Sequence, residues 1–298
     1  MGTLYPHVAF SGALTALITP FQNGEVDDQA FLKLVEWQIE SGIHGLVPVG
    51  TTGESPTLSH DEHDHVVEMC VKQAAGRVPV IAGAGSNNTA ESVRLAQHAE
   101  SVGADAVLVV APYYNKPTQA GLTAHYQAVA EAISIPLIVY DIPGRSIIQV
   151  NDDTLAALAT HKNIAGIKDA TADCGRPTRL LNLIGEEFAQ LSGEDATQIG
   201  YLAAGGHGVI SVVSNIAPAL SSQMHVAFKE GRVGDAMAIN RRLMPLHDAL
   251  FCEASPGPVK YAAERLGLCG RETRLPLTEI SDSSKHTVDA ALSAAGLI

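Results

Sequence analysis

The sequence predicts an α/β fold, a (β/α)8 TIM barrel with a C-terminal helical appendage, on three observations. Eight short runs rich in apolar and β-branched residues recur about every 25–30 residues, the period of a strand-plus-helix unit. The segments between them carry helical spacing. The runs are too apolar to leave either face in water, which suits a parallel sheet covered by helices. Eight such units close naturally into a barrel of about 200–250 residues. An open doubly wound sheet is the competitor, but it normally shows a Gly-rich dinucleotide turn after its first strand. Here the first strand runs into TPFQNGEVDD instead.

The expected strands are 13–19, 45–49, 79–82, 106–110, 136–140, 164–168, 189–192 and 208–213. The first helix is DDQAFLKLVEWQIESG, with Phe31, Leu34, Val35 and Ile39 along one side, Gln38 interrupting, and Gly42 as a stop signal. The second opens on Ser59 and Glu62, a capping box ahead of Val66, Val67 and Cys70. After about residue 217, helical segments punctuated by Gly and Pro replace the strand pattern. The expected division is therefore 1–217 for the barrel and 218–298 for the helical region.

With 19 Lys plus Arg against 32 Asp plus Glu, the net charge is −13. That argues against nucleic acid or an anionic membrane as partner, because phosphate binding needs clustered cations. It leaves small anionic substrates open, since local amides and a few cations outweigh a distant net charge. No run approaches the roughly 18–20 apolar residues of a membrane span, and no signal-peptide pattern opens the chain, so the cytoplasm is expected. The four cysteines are far apart and read as free thiols.

Barrel chemistry sits at the C-terminal ends of the strands and in the loops that follow. Of the eight lysines, only Lys168 ends an apolar strand, IAGIK. Alternation puts it on the side of Ile164 and Gly166, and the missing side chain at Gly166 is expected to leave room beside it. Desolvation there disfavours the ammonium form, the condition for a Schiff-base nucleophile. The bland alternative is a lysine paired with Asp169 or Glu194, and Lys260 is the only rival nucleophile. GTTGES at 50–55 follows the second strand, where successive amides and two hydroxyls form a nest suited to a carboxylate. Lacking the lysine of a phosphate loop, it does not fit a nucleotide. Tyr113 and Tyr114 follow the fourth strand and Tyr140 closes the fifth, placing phenols where protons can be relayed, with Thr51 as the partner hydroxyl. Arg145, after a Pro-Gly turn, has the fork to grip a carboxylate, or else a surface salt bridge. The run His60-Asp-Glu-His63-Asp-His65 invites a metal reading, but the helix cap already explains its composition. No glycine pattern fits a dinucleotide.

These residues together resemble the dihydrodipicolinate synthase (4-hydroxy-tetrahydrodipicolinate synthase) family of the class I pyruvate-dependent aldolases. The matching stretches run in order: LITPF, GTTGES, HDEH, PYYNKP, YDIPGR, GIKDAT, SGED, GGHGVISV, RLMPLH and PVKYA. The resemblance implies a lyase of lysine and diaminopimelate biosynthesis that condenses pyruvate with L-aspartate 4-semialdehyde through an imine on Lys168. It implies a proton relay of Tyr140, Thr51 and Tyr114, the last reaching in from a neighbouring subunit of a homotetramer. Thr51 and Thr52 would hold the pyruvate carboxylate, Arg145 the semialdehyde carboxylate, and Gly193 and Ile210 would line the pyruvate pocket. No cofactor or metal is needed, because the imine is the electron sink. It further implies inhibition by L-lysine at Ser55, His60, His63, Asn87, Glu91 and Tyr113, with Pro56 replacing a small residue beside that cleft. Asp141 stands where Asn is commoner and is expected to add negative charge near a site for two anions. N-acetylneuraminate lyase and 2-keto-3-deoxy-sugar-acid aldolase are the alternatives on the same scaffold, and a barrel that binds without catalysing would need a catalytic group to be missing.

Overall fold

A computed structural model describes Tyr5 and residues 7–298. The eight parallel strands are β1 Gly12–Ala16, β2 Gly45–Val47, β3 Ile81–Gly83, β4 Ala106–Val110, β5 Leu137–Asp141, β6 Ile164–Asp169, β7 Ala189–Ser192 and β8 Gly208–Ser211. Helices separate them in sequence, and the fold is of the (β/α)8 class. Each expected run holds a strand, and β4 and β7 match theirs end to end. β1 and β2 stop earlier than the apolar runs do: after Ala16 the chain is irregular but buried, and after Val47 it turns at Pro48 while remaining buried. The last run ends as a short 3₁₀ turn, Val213–Asn215. A two-stranded hairpin, Phe21–Gln22 with Glu25–Val26, lies inside TPFQNGEVDD and was not expected. Its turn is Asn23-Gly24 with φ of 55° and 84°, the left-handed pair that an Asn-Gly hairpin turn requires.

Contacts group the chain into two compact units. One comprises the residues up to Gly12 with Pro79–Ile210, the other Ala13–Val78 with Ser211–Ile298. In the first, the strand order is β8-β7-β6-β5-β4-β3, all parallel. Its strands are buried almost throughout: Val107, Val109, Leu137, Ile138, Val139, Ile167 and Leu191 have no exposed surface. In the second, β1 and β2 pair in parallel, Leu14 opposite Gly45. Helix Asp28–Glu40 buries Phe31, Leu34 and Val35, as the spacing predicts, but leaves Ile39 half-buried, and its N-terminus is capped by Asp27. The interrupting Gln38 is buried too, because Thr15 donates to its Oε1 at 2.6 Å and its Nε2 donates to the Ser214 carbonyl at 2.9 Å. A buried amide is tolerated once its hydrogen bonds are made. The capping box forms as read: Glu62 N–H donates to Ser59 Oγ at 3.2 Å, and Ser59 N–H donates to Glu62 Oε2 at 2.8 Å.

Three histidines set an acid limit on this fold. Burial lowers the pKa of His44 to about 4 and of His125 to about 4, and that of His225 to about 3 with help from His44. The unfolded chain protonates these rings below about pH 6.5, while the native chain resists until about pH 4. Stability is therefore full above pH 6.5 and is lost as pH falls toward 4. Burial pushes the carboxyl of Asp141 up to about 6, which works in the opposite sense over part of that window. Burial raises the pKa of Glu194 in the same opposing sense, and with three histidines against these two carboxyls the thermal midpoint is expected to drop by roughly 5–15 °C between pH 7 and pH 4.5. Circular dichroism melts across that range check this, and a flat or rising midpoint would contradict it.

Candidate active site

In the first unit, parallel pairing sets Tyr140 beside Lys168 and Asp141 beside Asp169 at the C-terminal ends of β5 and β6. The register shifts between Leu137 and Ile138, whose partners are Ile164 and Gly166, leaving Ala165 as a bulge. Without that extra residue the alternation would put Ile167 opposite Tyr140, so the bulge is what delivers the lysine. It also limits the alternation argument to Gly166 and Lys168. Gly166 does not provide room, contrary to expectation. A Cβ there would run into the Ala189 carbonyl and meet the Ala189 Cβ at 2.8 Å, so the glycine serves close approach to β7.

Lys168 is buried, 6% exposed, and its Nζ lies 4.1 Å from the centroid of the Tyr140 ring. Among the described residues no carboxylate forms an ion pair with it. Asp169 is engaged elsewhere, accepting from Thr171 N–H at 3.0 Å and Thr171 Oγ1 at 2.7 Å. Burial, then the neighbouring charge of Asp195, raises the pKa of Glu194, while Lys168 and Arg145 pull it down. Lys168 Nζ thus lies against an aromatic face with no carboxylate fixed to it among the described residues, which leaves the nitrogen accessible to a carbonyl.

Gly193 follows β7 and packs on the end of β6, where a Cβ would meet that of Ala170 at 2.7 Å. Ile210 is buried in β8. Arg145 lies in the one-turn helix Pro143–Ser146, exposed and without an ion pair among the described residues, so it is not tied up in a surface bridge. Asp141 is not a loose charge beside these groups. It is fully buried and its Oδ2 accepts from Arg176 Nη1 at 2.7 Å, while its Oδ1 accepts from Val150 N–H at 3.2 Å. Arg176 went unnoticed in the sequence because arginine is rarely buried and nothing in DCGRP signals that this one is.

Tyr113 and Tyr114 part company after β4. Tyr113 is half-buried, and burial and then Glu91 raise its pKa. Tyr114 is 88% exposed with φ of 72°. The Glu91 carboxylate accepts from Ser86 Oγ, and Asn87 offers its carbonyl to Asn115 Nδ2 at 2.9 Å.

The second unit carries the GTTGES turn. Internal bonds take the amides of Gly53, Glu54 and Ser55, leaving those of Thr51 and Thr52 uncommitted among the described residues. Thr52 is buried and Thr51 half-buried. Val49 and Glu54 flank them with φ of 48° and 55°, left-handed values that non-glycine residues hold only when the surroundings enforce them. Those surroundings are visible. Thr19 Oγ1 donates to the Gly53 carbonyl at 2.7 Å, and Lys260 Nζ donates to Glu54 Oε1 at 2.5 Å and to the Glu272 carbonyl at 2.6 Å. Arg274 N–H donates to Glu54 Oε2 at 3.0 Å. Burial lowers the pKa of Lys260 while Glu54 opposes that. Ion-paired with no exposed surface, Lys260 fastens this turn. Ser55 and Pro56 form a 3₁₀ turn just after, His60 opens helix His60–Ala74, and His63 is buried in it. Among the described residues no group of three or more His, Cys, Asp or Glu is placed to hold a metal ion. No helix among them is long and apolar enough to cross a membrane.

The fold is a (β/α)8 barrel whose sixth strand carries, next to its last residue, a buried lysine against a tyrosine of the neighbouring strand, with no ion pair among the described residues. The model of the dihydrodipicolinate synthetase family matches residues 9–295, and the chain belongs to that family. It is 58% identical over 287 residues to the 4-hydroxy-tetrahydrodipicolinate synthase of Methylobacterium radiotolerans, covering 96% of both chains. Two solved structures share the fold. The chloride-inhibited dihydrodipicolinate synthase of Acinetobacter baumannii complexed with pyruvate has a TM-score of 0.95 at 43% identity, covering 97% of this chain and 100% of that one. The Cyanidioschyzon merolae enzyme with lysine bound has a TM-score of 0.94 at 38% identity, covering 97% and 99%. The chain is accordingly a lyase of the Schiff-base aldolase type, in lysine and diaminopimelate biosynthesis.

Proposed function

We propose that this chain condenses pyruvate with L-aspartate 4-semialdehyde, using Lys168 as the imine-forming nucleophile. The single observation that carries the reading is the buried Lys168 amine against Tyr140 with no carboxylate in ion-pair contact among the described residues. Nζ attacks the pyruvate ketone carbon and loss of water leaves the imine. Removal of a methyl proton gives the enamine, whose carbon adds to the aldehyde. The amine of the second substrate then attacks the imine carbon, closes the ring and frees Lys168. Thr51 and Thr52 hold the pyruvate carboxylate, a role that the two uncommitted amides support. Arg145 holds the carboxylate of the semialdehyde, and Gly193 and Ile210 line the pyruvate pocket. Tyr140, Thr51 and Tyr114 carry the protons. Tyr114 reaches the site of a neighbouring subunit in a homotetramer, and its exposure leaves the phenol accessible for that. We place the reaction in the cytoplasm.

L-lysine is the expected inhibitor, held by Ser55, His60, His63, Asn87, Glu91 and Tyr113. The likeness to a relative solved with lysine bound supports this. Turnover of pyruvate with L-aspartate 4-semialdehyde, with and without millimolar lysine, tests both parts. Product formation that falls as lysine rises is expected. Turnover only with a sugar aldehyde would overturn the substrate, and an unchanged rate in lysine would overturn the effector site.

A further inference from the structure

Among the described residues, Arg176 is the largest side chain with essentially no exposed surface. It opens helix Arg176–Ile184, and its guanidinium reaches across the ends of two strands. Nη1 donates to Asp141 Oδ2 at 2.7 Å and to Asp169 Oδ1 at 3.4 Å, Nε donates to Asp152 Oδ1 at 2.9 Å, and Nη2 donates to the Val150 carbonyl. Asp141 and Asp169 immediately follow Tyr140 and Lys168 and are themselves register partners. Val150 closes the segment that carries Arg145, and its amide is held by the same Asp141. One planar fork therefore ties together the two strand ends that bear the imine chemistry and the loop that bears the anion-gripping arginine.

Stability alone is a poor reason for such a feature. A buried ion cluster gains little over a well-packed apolar one, because desolvation of each charge offsets the attraction. Directional, fixed-angle hydrogen bonds are what an apolar cluster cannot supply, and a guanidinium is the side chain that makes them. Asp169 Oδ1 accepts from both Thr171 and Arg176, so the carboxylate that follows Lys168 and the one that follows Tyr140 are held by the same guanidinium.

We infer that Arg176 is a positioning residue for catalysis, setting the approach of Lys168 to Tyr140 and the placement of Arg145 through its bonds to Asp141, Asp169 and Val150. This rests on Lys168 being the imine lysine. A misplacement of about 1 Å costs on the order of 10²-fold in rate, so loosening this fork is felt in the chemical step.

The test compares wild type with Arg176→Lys, which keeps one charge but loses the fork, and with Asp169→Leu. The leucine variant keeps a side chain of similar size but removes the Oδ1 acceptor that Arg176 and Thr171 share, so it loosens the fork at β6 and decides the matter if the lysine variant fails to fold. Each folded variant is assayed well below its thermal midpoint for kcat, for both KM values, and for the rate at which borohydride traps pyruvate on Lys168. The expected result is a 10- to 100-fold loss in kcat and in trapping rate. The KM for pyruvate is expected to stay within about threefold of wild type and that for the semialdehyde to rise, because Arg145 is displaced. Folded variants that trap pyruvate as fast as wild type, or that merely melt earlier with kcat unchanged, would overturn the inference. Wild-type protein that fails to trap pyruvate on Lys168 would instead overturn the imine reading beneath it.

Discussion

Replacing Lys168 by arginine is expected to reduce turnover by roughly 10³-fold or more, the scale on which enzymes lose rate when a covalent nucleophile is removed. The substitution keeps a cation against the Tyr140 ring, 4.1 Å from the present amine, and so keeps the cation–π contact. What it removes is a nitrogen able to form an imine, since a guanidinium stays protonated at any working pH. Because Lys168 makes no ion pair among the described residues, no buried carboxylate is stranded and the fold is expected to survive. Steady-state assays with both substrates, alongside thermal melts, check the two halves of this expectation. A folded variant within tenfold of wild type would show that another group carries the chemistry.

The largest effect on stability is expected at Lys260. Its ammonium and the Glu54 carboxylate are buried to 0% and 1% exposure, 2.5 Å apart, within one compact unit. Lys260→Met removes the cation and leaves a carboxylate in a dry site, which typically costs about 3–5 kcal/mol. In a chain of this size that lowers the thermal midpoint by about 10 °C. The damage falls on the turn that carries Thr51 and Thr52, so the KM for pyruvate is expected to rise in whatever fraction stays folded. Adding Glu54→Gln removes the stranded charge and is expected to restore more than half of the loss. Denaturant titrations of the single and double variants measure this. A single variant within 1 kcal/mol of wild type would mean that the pair is not the fastening described.

The strands and first helices were legible because burial on both faces and helical spacing leave a direct mark on residue order. The GTTGES turn after the second strand and the burial of Lys168 were legible because a glycine-flanked pair of threonines and a lone lysine at the end of an apolar run are unusual in themselves. The hairpin at Asn23-Gly24 had its signal in plain view, but strands of two residues are too short for periodicity to register. The bulge at Ala165 had no signal, since register belongs to a pair of strands and not to either one. Glu54 and Lys260 lie 206 positions apart, and only the fold brings them together. From sequence alone Asp141 reads as a charge added near the substrates, because its partner Arg176, 35 positions on, is an arginine of the kind that normally faces water.

Reduction with borohydride in the presence of pyruvate, followed by peptide mapping by mass spectrometry, tests the central claim most directly. The account predicts one reduced pyruvate adduct, on the peptide containing Lys168, and none when that lysine is replaced by arginine. An adduct on Lys260 or any other lysine, or no adduct from protein that turns over both substrates, would contradict it.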